Sequence, residues 1–350
     1  MKLLLIKTSS IGDIVHTLPA LTDAADAIPE LEVDWVVEEA FAALPAWHPA
    51  VRRVIPVGFR RWRKRPLAGL ASGALRRFRG ELNRSRHDVV LDAQGLMKSA
   101  AIARLARGSR HGLDAASIRE KPAALAYRHR HRVPTDLHAI DRLRRLFAGA
   151  LDYPIPSGDP DYGVNRDRLP PSALDGDYLV ALHGTQWVSK QWPVDRWRGL
   201  LKRAGDAGLT VALPALGDEE VARAAAIGTG FDNAALLPPL DLPSIAGTLA
   251  RATGVVAVDT GFAHLAAAFG TPCVTLYGPT SPMLTGTVGS NQAHVVSPAR
   301  TGPTADRRHK DRPSATMAQL DEVEVWRVLS TVLGDRGGAA PAKGSNARPG

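Results

Sequence analysis

Polar segments of the chain follow directly on short apolar runs, where the turn after a buried strand would present them to a ligand. In parallel α/β sheets, ligands bind beyond the carboxyl ends of the strands. Side chains and backbone N–H groups in such turns can hold phosphates, orient hydroxyls and move protons. Four segments fit this description: residues 7–13, 92–98, 183–193 and 258–264.

The first segment, Lys7-Thr8-Ser9-Ser10-Ile11-Gly12-Asp13, is a small-residue turn without the spacing of a dinucleotide site or a P-loop. Asp13 lies where a helix should begin. Aspartate is favoured there as a helix cap, so its position is compatible with a cap or with a catalytic carboxylate facing a cleft. The segment 92–98 offers polar groups at another strand end, and an ordinary turn around Gly95 explains it equally well.

Two later segments suit an anionic ligand. In 183–193, the hydroxyl of Thr185 and the ammonium of Lys190 could hold a diphosphate, although the loop could also cover apolar surface with its two tryptophans. In 258–264, Asp259 ends a strand, and Thr260 and Gly261 can open a helix whose N–H groups point at an anion. His264, taken alone, is typical of a core histidine.

Residues 60–65 contain five cations around Trp62, and the whole chain carries a formal charge of +9. Such a run cannot lie in a core, and it indicates a solvated loop or a site for a polyanion. Arginine binds phosphates and carboxylates bidentately, and a tryptophan among cations can face a sugar or a membrane interface. Charge alone does not distinguish nucleic acid, anionic lipid and a phosphorylated glycan.

Several classes of protein are disfavoured. The single cysteine, Cys273, lies in an apolar run and excludes an internal disulfide framework. No H-E-x-x-H or G-x-S-x-G occurs, and the two D-x-D strings at 159–161 and 175–177 contain Pro and Gly and favour turns over a metal site. No apolar run reaches the ~18 residues of a membrane span, and the short run at 3–6 predicts a buried strand and not a signal peptide. We therefore expect a cytoplasmic protein.

The elements that position these segments alternate between strand and helix, which predicts two doubly wound parallel sheets. A Pro- and Gly-rich linker separates them. We predict an N-terminal domain at 1–155, the linker at 156–171, a C-terminal domain at 172–315, a last helix within 316–333 and a disordered tail at 334–350. Strands are expected at 2–6, 33–37, 88–91, 178–182, 210–213, 254–258 and 273–276.

Taken in order, the segments 7–13, 34–39, 60–64, 92–96, 190–193, 258–261 and 277–280 resemble the heptosyltransferase I family of lipopolysaccharide core synthesis. The resemblance implies a GT-B fold, with two Rossmann-like domains facing across a cleft. The N-terminal domain would bind the acceptor, the C-terminal domain would bind the ADP-sugar, and the last helix would pack toward the N-terminal domain. It implies an inverting, metal-independent transfer of L-glycero-D-manno-heptose from ADP-heptose to Kdo of Kdo-lipid A, with no cofactor.

The resemblance also implies roles for individual residues. Asp13 would be the general base, and Lys190 would offset charge on the departing ADP. The expected donor-binding residues are Thr185, Gln186, Lys190, Glu220, Leu240, Asp259, Thr260, Gly261 and His264. The expected acceptor-binding residues are Ser10, Gly12, Arg60, Arg61, Arg63, Lys64, Gln94 and Lys98. No metal ligands are expected.

Three alternatives remain open at this point: a heptosyltransferase II acting on the first heptose, a sugar-nucleotide epimerase of related fold, and a non-enzymatic binder of RNA or anionic membrane. The last would explain the charge but not the placement of Asp13, Lys190 and Asp259 in loops at strand ends. The expected partners are ADP-heptose and Kdo-lipid A at the membrane surface, with no nucleic acid. The chain is expected to be a monomer, peripheral on the inner face of the inner membrane.

Overall fold

The computed structural model describes residues 1–64, 73–299 and 310–334. Its N-terminal part contains one parallel sheet and its helices. The strands are β1 (Lys2–Ile6), β2 (Glu32–Glu38), β3 (Val51–Val57), β4 (Val89–Asp92), β5 (Ser109–Leu113) and β6 (His129–His131). The helices are α1 (Ile11–Val15), α2 (Leu18–Ala27), α3 (Phe59–Lys64), α4 (Ala74–Leu82), α5 (Met97–Leu105) and α6 (Ala139–Leu151).

The C-terminal part contains a second parallel sheet. Its strands are β7 (Tyr178–Leu182), β8 (Thr210–Leu213), β9 (Ala234–Leu236), β10 (Gly254–Val258), β11 (Cys273–Tyr277) and β12 (Gln292–Val296). Its helices are α7 (Val194–Asp206), α8 (Asp218–Gly228), α9 (Leu242–Arg251), α10 (Gly261–Ala268), α11 (Pro282–Thr285), α12 (Ala315–Ala318) and α13 (Glu322–Leu333).

Both sheets have the same doubly wound topology. The strand orders are β3-β2-β1-β4-β5-β6 and β12-β11-β10-β7-β8-β9, so each sheet grows in both directions from its first strand. This is the Rossmann order, whose switch point lies at the carboxyl ends of the two central strands. The predicted fold class is confirmed. The ends of β1 and β4 carry residues 7–13 and 92–98, and the ends of β7 and β10 carry 183–193 and 258–264.

The sequence of β1 explains why it is central. Leu3 and Leu5 point into a core that also contains residues of α2 and α6, while Leu4 and Ile6 point into the core on the other face. A strand buried on both faces reads as a continuous apolar run, which is the signature of a parallel sheet. β1 and β7 accordingly begin and end where the apolar runs predict.

A helical break follows the first loop. The apolar stripe over 14–28 predicts one helix with a late start because of Pro19, and the structure divides it at Thr17. Pro19 occupies the first turn of α2, where its missing N–H would have had no intrahelical partner.

The linker contacts both domains: the Tyr162 hydroxyl donates to Val288 O over 2.9 Å in the C-terminal domain, and other linker residues bond to the N-terminal domain. Asn165 N donates to Trp47 O over 3.1 Å, and an Arg168 guanidinium N–H donates to Ala46 O over 3.1 Å. Asp161 accepts from the Gly163 N–H at 2.9 Å, which makes the first D-x-D string a turn, as the sequence predicts.

The last helix differs from its prediction. The expected helix at 316–333 is interrupted: α12 ends at Ala318 and α13 begins at Glu322, with the Asp321 side chain accepting from Val323 N at the start of α13. Val325, Leu329 and Leu333 pack into the core of the C-terminal domain, against residues of α7, β10 and β11. The prediction that this helix packs toward the N-terminal domain is wrong, because its apolar stripe completes the core of its own domain. The predicted disordered tail lies, from residue 335 on, outside the described residues.

Five strands and one long helix were not among the predicted elements: β3, β5, β6, β9, β12 and α6. β5 (SRHGL) and β6 (HRH) contain no apolar run, because β6 is the edge strand, β5 is its neighbour, and both are incompletely buried. Within the described residues, no helix is long and apolar enough to cross a membrane.

Candidate functional site

The two domains meet where α1 faces α10. A β-carbon on Gly12 would lie 2.9 Å from His264 Cδ2, and one on Gly261 would lie 2.8 Å from Ile11 Cβ. Both positions therefore need glycine for the helices to approach this closely. The contact brings the loop after β1 next to the loop after β10. Gly12, predicted to bind the acceptor, is buried by this contact. The close approach of the two helices explains why position 12 is a glycine, with no need for a contact to a ligand.

The loop after β1 is held by the loop after β4. Gln94 Oε1 accepts hydrogen bonds from Thr8 N at 2.9 Å and from Ser9 N at 3.1 Å. The Lys7 ammonium donates to Ala93 O over 3.0 Å. Gln94, predicted to bind acceptor, thus uses its carbonyl oxygen to shape residues 7–10.

Asp13 has one oxygen occupied and one available. Oδ2 accepts from the Ser10 N–H at 2.8 Å and from the Ser10 hydroxyl at 3.0 Å, which makes Asp13 a cap of α1. Oδ1 lies 3.9 Å from Lys7 Nζ, and the side chain is 49% exposed. Asp13 can therefore be both a helix cap, through Oδ2, and a catalytic carboxylate, through Oδ1. Burial lowers the pKa of Lys7, with the Asp13 carboxylate opposing that shift.

On the C-terminal side, Lys190 and Asp259 form an ion pair of 2.7 Å between Nζ and Oδ2, with side chains only 17% and 15% exposed. Lys190 Nζ also lies 4.7 Å from the centre of the Trp187 ring. Both side chains are largely buried, so an anionic ligand that reached the pair would be poorly screened by water. Thr185 is half-buried and Gln186 is exposed on the same loop.

The N-terminus of α10 follows Asp259 directly. Thr260 is the N-cap and has an extended backbone conformation. The N–H groups of Gly261 and Phe262 lie in the first turn, where a helix has no intrahelical acceptor for them. Together with Lys190, they make a positive end suited to a phosphate.

Glu220 and Leu240 lie on the same side of the second sheet. A β-carbon on Gly184 would collide with the Glu220 carboxylate, which also accepts from Leu216 N at 2.9 Å, so Glu220 adjoins the loop that carries Thr185. Leu240 is half-buried just before α9 and packs on the core. Their predicted contacts with ribose and adenine stay predictions.

Three histidines join the domains at this contact. His264 Nδ1 lies 3.2 Å from His16 Nε2, and the His16 ring centre is 5.6 Å from that of His138. His138 accepts from the Ile140 N–H at Nδ1 and donates from Nε2 to Gly286 O at 3.1 Å, which fixes a neutral tautomer.

Sequence reasoning missed His16 and His138. His16 is embedded in an apolar stripe, and no spacing connects His138 to either partner. Burial lowers the pKa of His264 to about 4, against the opposing carboxylates of Asp259 and Asp13. Burial and the neighbouring histidines hold the pKa of His16 well below its usual range.

These histidines should make stability depend on pH. Below pH 6.5 the unfolded chain protonates them while the folded protein, with His264 near pKa 4, does not. The free energy of unfolding therefore falls as pH drops from 6.5 toward 4, by on the order of 3 kcal/mol for His264 alone. Denaturant unfolding at pH 7 and pH 5 measures this. In His264→Asn the pH dependence should be shallower, and an equal slope in both proteins would contradict the assignment.

The basic segment forms α3, in place of the solvated loop that the sequence left as one interpretation. Its apolar residues, Phe59 and Trp62, pack toward Phe78. The Trp62 ring centre lies 5.7 Å from that of Phe59 and 6.0 Å from that of Phe78. Trp62 is thus a packing residue, and the suggestion that it faces a sugar or a membrane is not supported by its position.

Arg60 and Arg61 of α3 remain at the surface. The Arg60 guanidinium lies 5.0 Å from the Phe41 ring centre, and Arg61 pairs with Glu39 at 2.7 Å. Lys98 Nζ lies 5.4 Å from the Phe59 ring centre, so it joins this group. Arg63 and Lys64 belong to α3, but their side chains lie outside the described part, as does Arg65.

Among the residues that the structure describes, no three His, Cys, Asp or Glu side chains are grouped so as to hold a metal ion. Because α1 packs against α10, the structure places Ser10 and Asp13 of the first domain close to the donor-side residues of the second domain. Those residues are Lys190, Asp259, Thr260, Gly261 and His264. Arg60, Arg61 and Lys98 lie on segments that follow strands of the first sheet, beyond their carboxyl ends.

Comparison with known proteins agrees with this geometry. The model of glycosyltransferase family 9 (heptosyltransferase) matches residues 75–314. The lipopolysaccharide heptosyltransferase 1 of Pseudomonas aeruginosa is 50% identical over 298 residues, which are 85% of this chain and 84% of that protein. The structure of E. coli heptosyltransferase WaaC with ADP superposes with a TM-score of 0.84 at 41% identity, over 95% of this chain and 100% of that one. WaaC with ADP-2-deoxy-2-fluoro heptose gives 0.82 at 40% identity, over 95% and 99%.

Proposed function

The chain belongs to glycosyltransferase family 9, the heptosyltransferases, and from that premise we propose that it transfers heptose from ADP-heptose to Kdo of Kdo-lipid A in lipopolysaccharide inner-core synthesis. One observation carries the proposal. The half-exposed carboxylate of Asp13 lies on a helix that packs against the helix following the Lys190–Asp259 pair. A proton acceptor and an anion site thus face each other across one interface, as a glycosyl transfer requires.

The second domain supplies the donor site in this proposal. WaaC, its structural relative, has been solved with ADP and with an ADP-heptose analogue. We place the diphosphate between Lys190, Thr185, Gln186 and the N-terminus of α10 at Thr260 and Gly261. Asp259 would then face the heptose hydroxyls, with His264 beside it. Glu220 would approach the ribose and Leu240 the adenine.

The reaction is a single in-line displacement. An acceptor hydroxyl oxygen attacks the anomeric carbon of the heptose, its proton passes to Asp13 Oδ1, and the bond from that carbon to the ADP oxygen breaks. Attack opposite the leaving group inverts the anomeric configuration. A carboxylate suffices as base because the hydroxyl becomes acidic as the new bond forms.

Charge develops on ADP as it leaves. The Lys190 ammonium and the positive end of α10 stabilise this charge in a partly buried site, where fixed charges and dipoles act more strongly than in water. These groups do the work that a divalent ion performs in other sugar-nucleotide enzymes, so we propose a metal-independent transfer.

The acceptor site lies on the first domain. Arg60, Arg61, Arg63, Lys64 and Lys98 would bind the carboxylates of Kdo and the phosphates of lipid A, since guanidinium groups pair with both bidentately. Ser10 would contact the acceptor beside Asp13. Gln94 and Gly12 would contribute indirectly, by shaping the loop and by letting α1 approach α10.

This acceptor is anchored in a membrane, so we place the protein in the cytoplasm at the inner face of the inner membrane. That the chain acts as a monomer stays a prediction.

Steady-state kinetics with purified acceptors test the proposal. The protein should transfer heptose to Kdo-lipid A and not to a core that already carries the first heptose. Neutralising Arg60, Arg61 and Arg63 to Gln should raise the KM for Kdo-lipid A at least tenfold, because their contacts are made to the anionic acceptor. The KM for ADP-heptose should change less than twofold.

A matched variant with the same loss of charge, Lys202→Gln with Arg312→Gln and Arg327→Gln in the C-terminal domain, should leave both constants unchanged. Preference for the heptosylated core would assign the protein to the later transfer. Equal increases in both KM values would remove the three arginines from the acceptor site.

A further inference from the structure

Three segments on one face of the N-terminal sheet are joined into a continuous surface. Helices α4 and α5 and the 3₁₀ segment Lys121–Ala126 bury their inner sides in the same core. The Asn83 side chain donates to Leu105 O over 3.0 Å, which joins the ends of α4 and α5. Met97 N donates to Glu120 Oε2 over 2.6 Å, which joins α5 to the third segment. We refer to the solvent side of these three segments as the outer layer.

Large apolar side chains protrude from every segment of the outer layer. Leu75 on α4 is 45% exposed, and Leu125 on the third segment is 72% exposed. On α5, Met97 and Leu105 are 52% and 38% exposed and lie about two turns apart on its solvent side. Exposed apolar residues that share one surface mark an interaction site more often than the same residues scattered singly.

Exposed cations surround these apolar side chains. They are Arg76, Arg77, Arg79, Arg104, Arg107 and Lys121. The carboxylates nearby are already engaged, since Glu81 pairs with Arg53 at 3.5 Å and with Arg84 at 3.9 Å, and Glu120 accepts from Met97 N. The outer layer is therefore strongly positive as well as apolar.

We infer that the outer layer docks on an anionic lipid bilayer. Leu75, Met97, Leu105 and Leu125 enter the headgroup region, and the surrounding arginines face lipid phosphates. A bilayer satisfies both halves of this surface, because it offers anionic charge above hydrocarbon. A nucleic acid would satisfy the cations but leave Leu75 and Leu125 in contact with water.

The acceptor site is continuous with this surface. Lys98 of α5 reaches over the Phe59 ring of α3, so Arg60 and Arg61 stand at the edge of the outer layer. A lipid held in the docked bilayer would meet these cations without leaving the membrane plane. Only this link between docking and the acceptor site rests on the proposed function, because binding of the outer layer to a bilayer needs no acceptor.

Co-sedimentation with vesicles free of Kdo-lipid A tests the inference. The full chain should bind vesicles of equal parts phosphatidylglycerol and phosphatidylcholine at least tenfold more tightly than vesicles of phosphatidylcholine alone. Leu75→Ser with Leu125→Ser should weaken binding at least fivefold, and Arg76→Gln with Arg79→Gln and Arg104→Gln at least tenfold. The matched variants Leu236→Ser with Val323→Ser, and Lys202→Gln with Arg312→Gln and Arg327→Gln, alter exposed residues of the other domain and should bind like the unmodified protein.

Absence of binding to the anionic vesicles at low salt would overturn the inference, as would equal losses in the matched variants. Loss of binding in the arginine variant with none in the leucine variant would mean a general polyanion surface and not a bilayer-docking one. Heptose transfer to a deacylated, water-soluble acceptor separates docking from catalysis. The rate of this transfer in the leucine variant should stay within twofold of that of the unmodified protein, whether or not the variant binds vesicles.

Discussion

Replacing Asp13 by Asn should lower kcat for heptose transfer by about 10³-fold, or about 4 kcal/mol in activation free energy, while ADP-heptose binds with unchanged Kd. The reason is that an amide cannot take the proton that the acceptor hydroxyl loses. The donor site should be unaffected, because the groups proposed to bind ADP-heptose lie on the other domain. Single-turnover transfer and calorimetric donor binding measure the two quantities.

The structure supplies a control for the capping role of Asp13. In Asp13→Asn the carbonyl oxygen of the new amide can still accept from the Ser10 N–H, so this variant should fold normally. Ser10→Ala removes the hydroxyl that donates to Asp13 but keeps the carboxylate, and it should retain kcat within about fivefold. Near-complete activity in Asp13→Asn, or equal loss of donor binding, would show that Asp13 is only a cap or that it acts on the donor.

Replacing Lys190 by Gln should have a comparable effect on a different step. Loss of the ammonium removes a charge that stabilises the departing ADP, which should reduce kcat/KM for ADP-heptose about 10²- to 10³-fold. The Kd of ADP alone should rise at least tenfold, because the contact is to the diphosphate. Glutamine can still donate to Asp259, so the buried carboxylate keeps a partner and the fold should be retained.

Asp259→Asn is the matched variant for this experiment. Its carbonyl oxygen can still accept from Lys190, and we place Asp259 on the heptose and not on ADP. It should therefore leave the Kd of ADP within threefold while raising the KM for ADP-heptose. If both variants changed ADP binding equally, the division of roles between the two residues would be wrong.

Sequence alone predicted what depends on local pattern. β1 and β7 were predicted to the residue because they are continuous apolar runs buried on both faces, and the four chemically suggestive segments follow strands as expected. The two-domain arrangement follows from the alternation of strand and helix. Apolar runs made both the strand bounds and the two-domain arrangement predictable, because burial determines where these elements form.

What the sequence did not reveal depends on contacts between distant segments. His16 and His264 are 248 positions apart, and Gln94 shapes a loop 85 and 86 positions before it. Such pairs leave no periodicity to detect. The packing of α13 is hidden for a related reason: an apolar stripe shows that a helix is covered on one side but not by which domain. The sequence also hides the packing of Trp62, because its neighbours in sequence are charged while its neighbours in space are aromatic.

The central claim is that this chain joins ADP-heptose to a Kdo-bearing acceptor without a metal ion. Release of ADP from ADP-heptose, measured in EDTA with and without Kdo-lipid A, tests it most directly. We predict release that requires the acceptor, continues in EDTA and is accompanied by one heptose added per ADP. Release that stops in EDTA and returns with a divalent ion would contradict the role given to Lys190 and α10, and absence of release with either acceptor would contradict the proposed transfer itself.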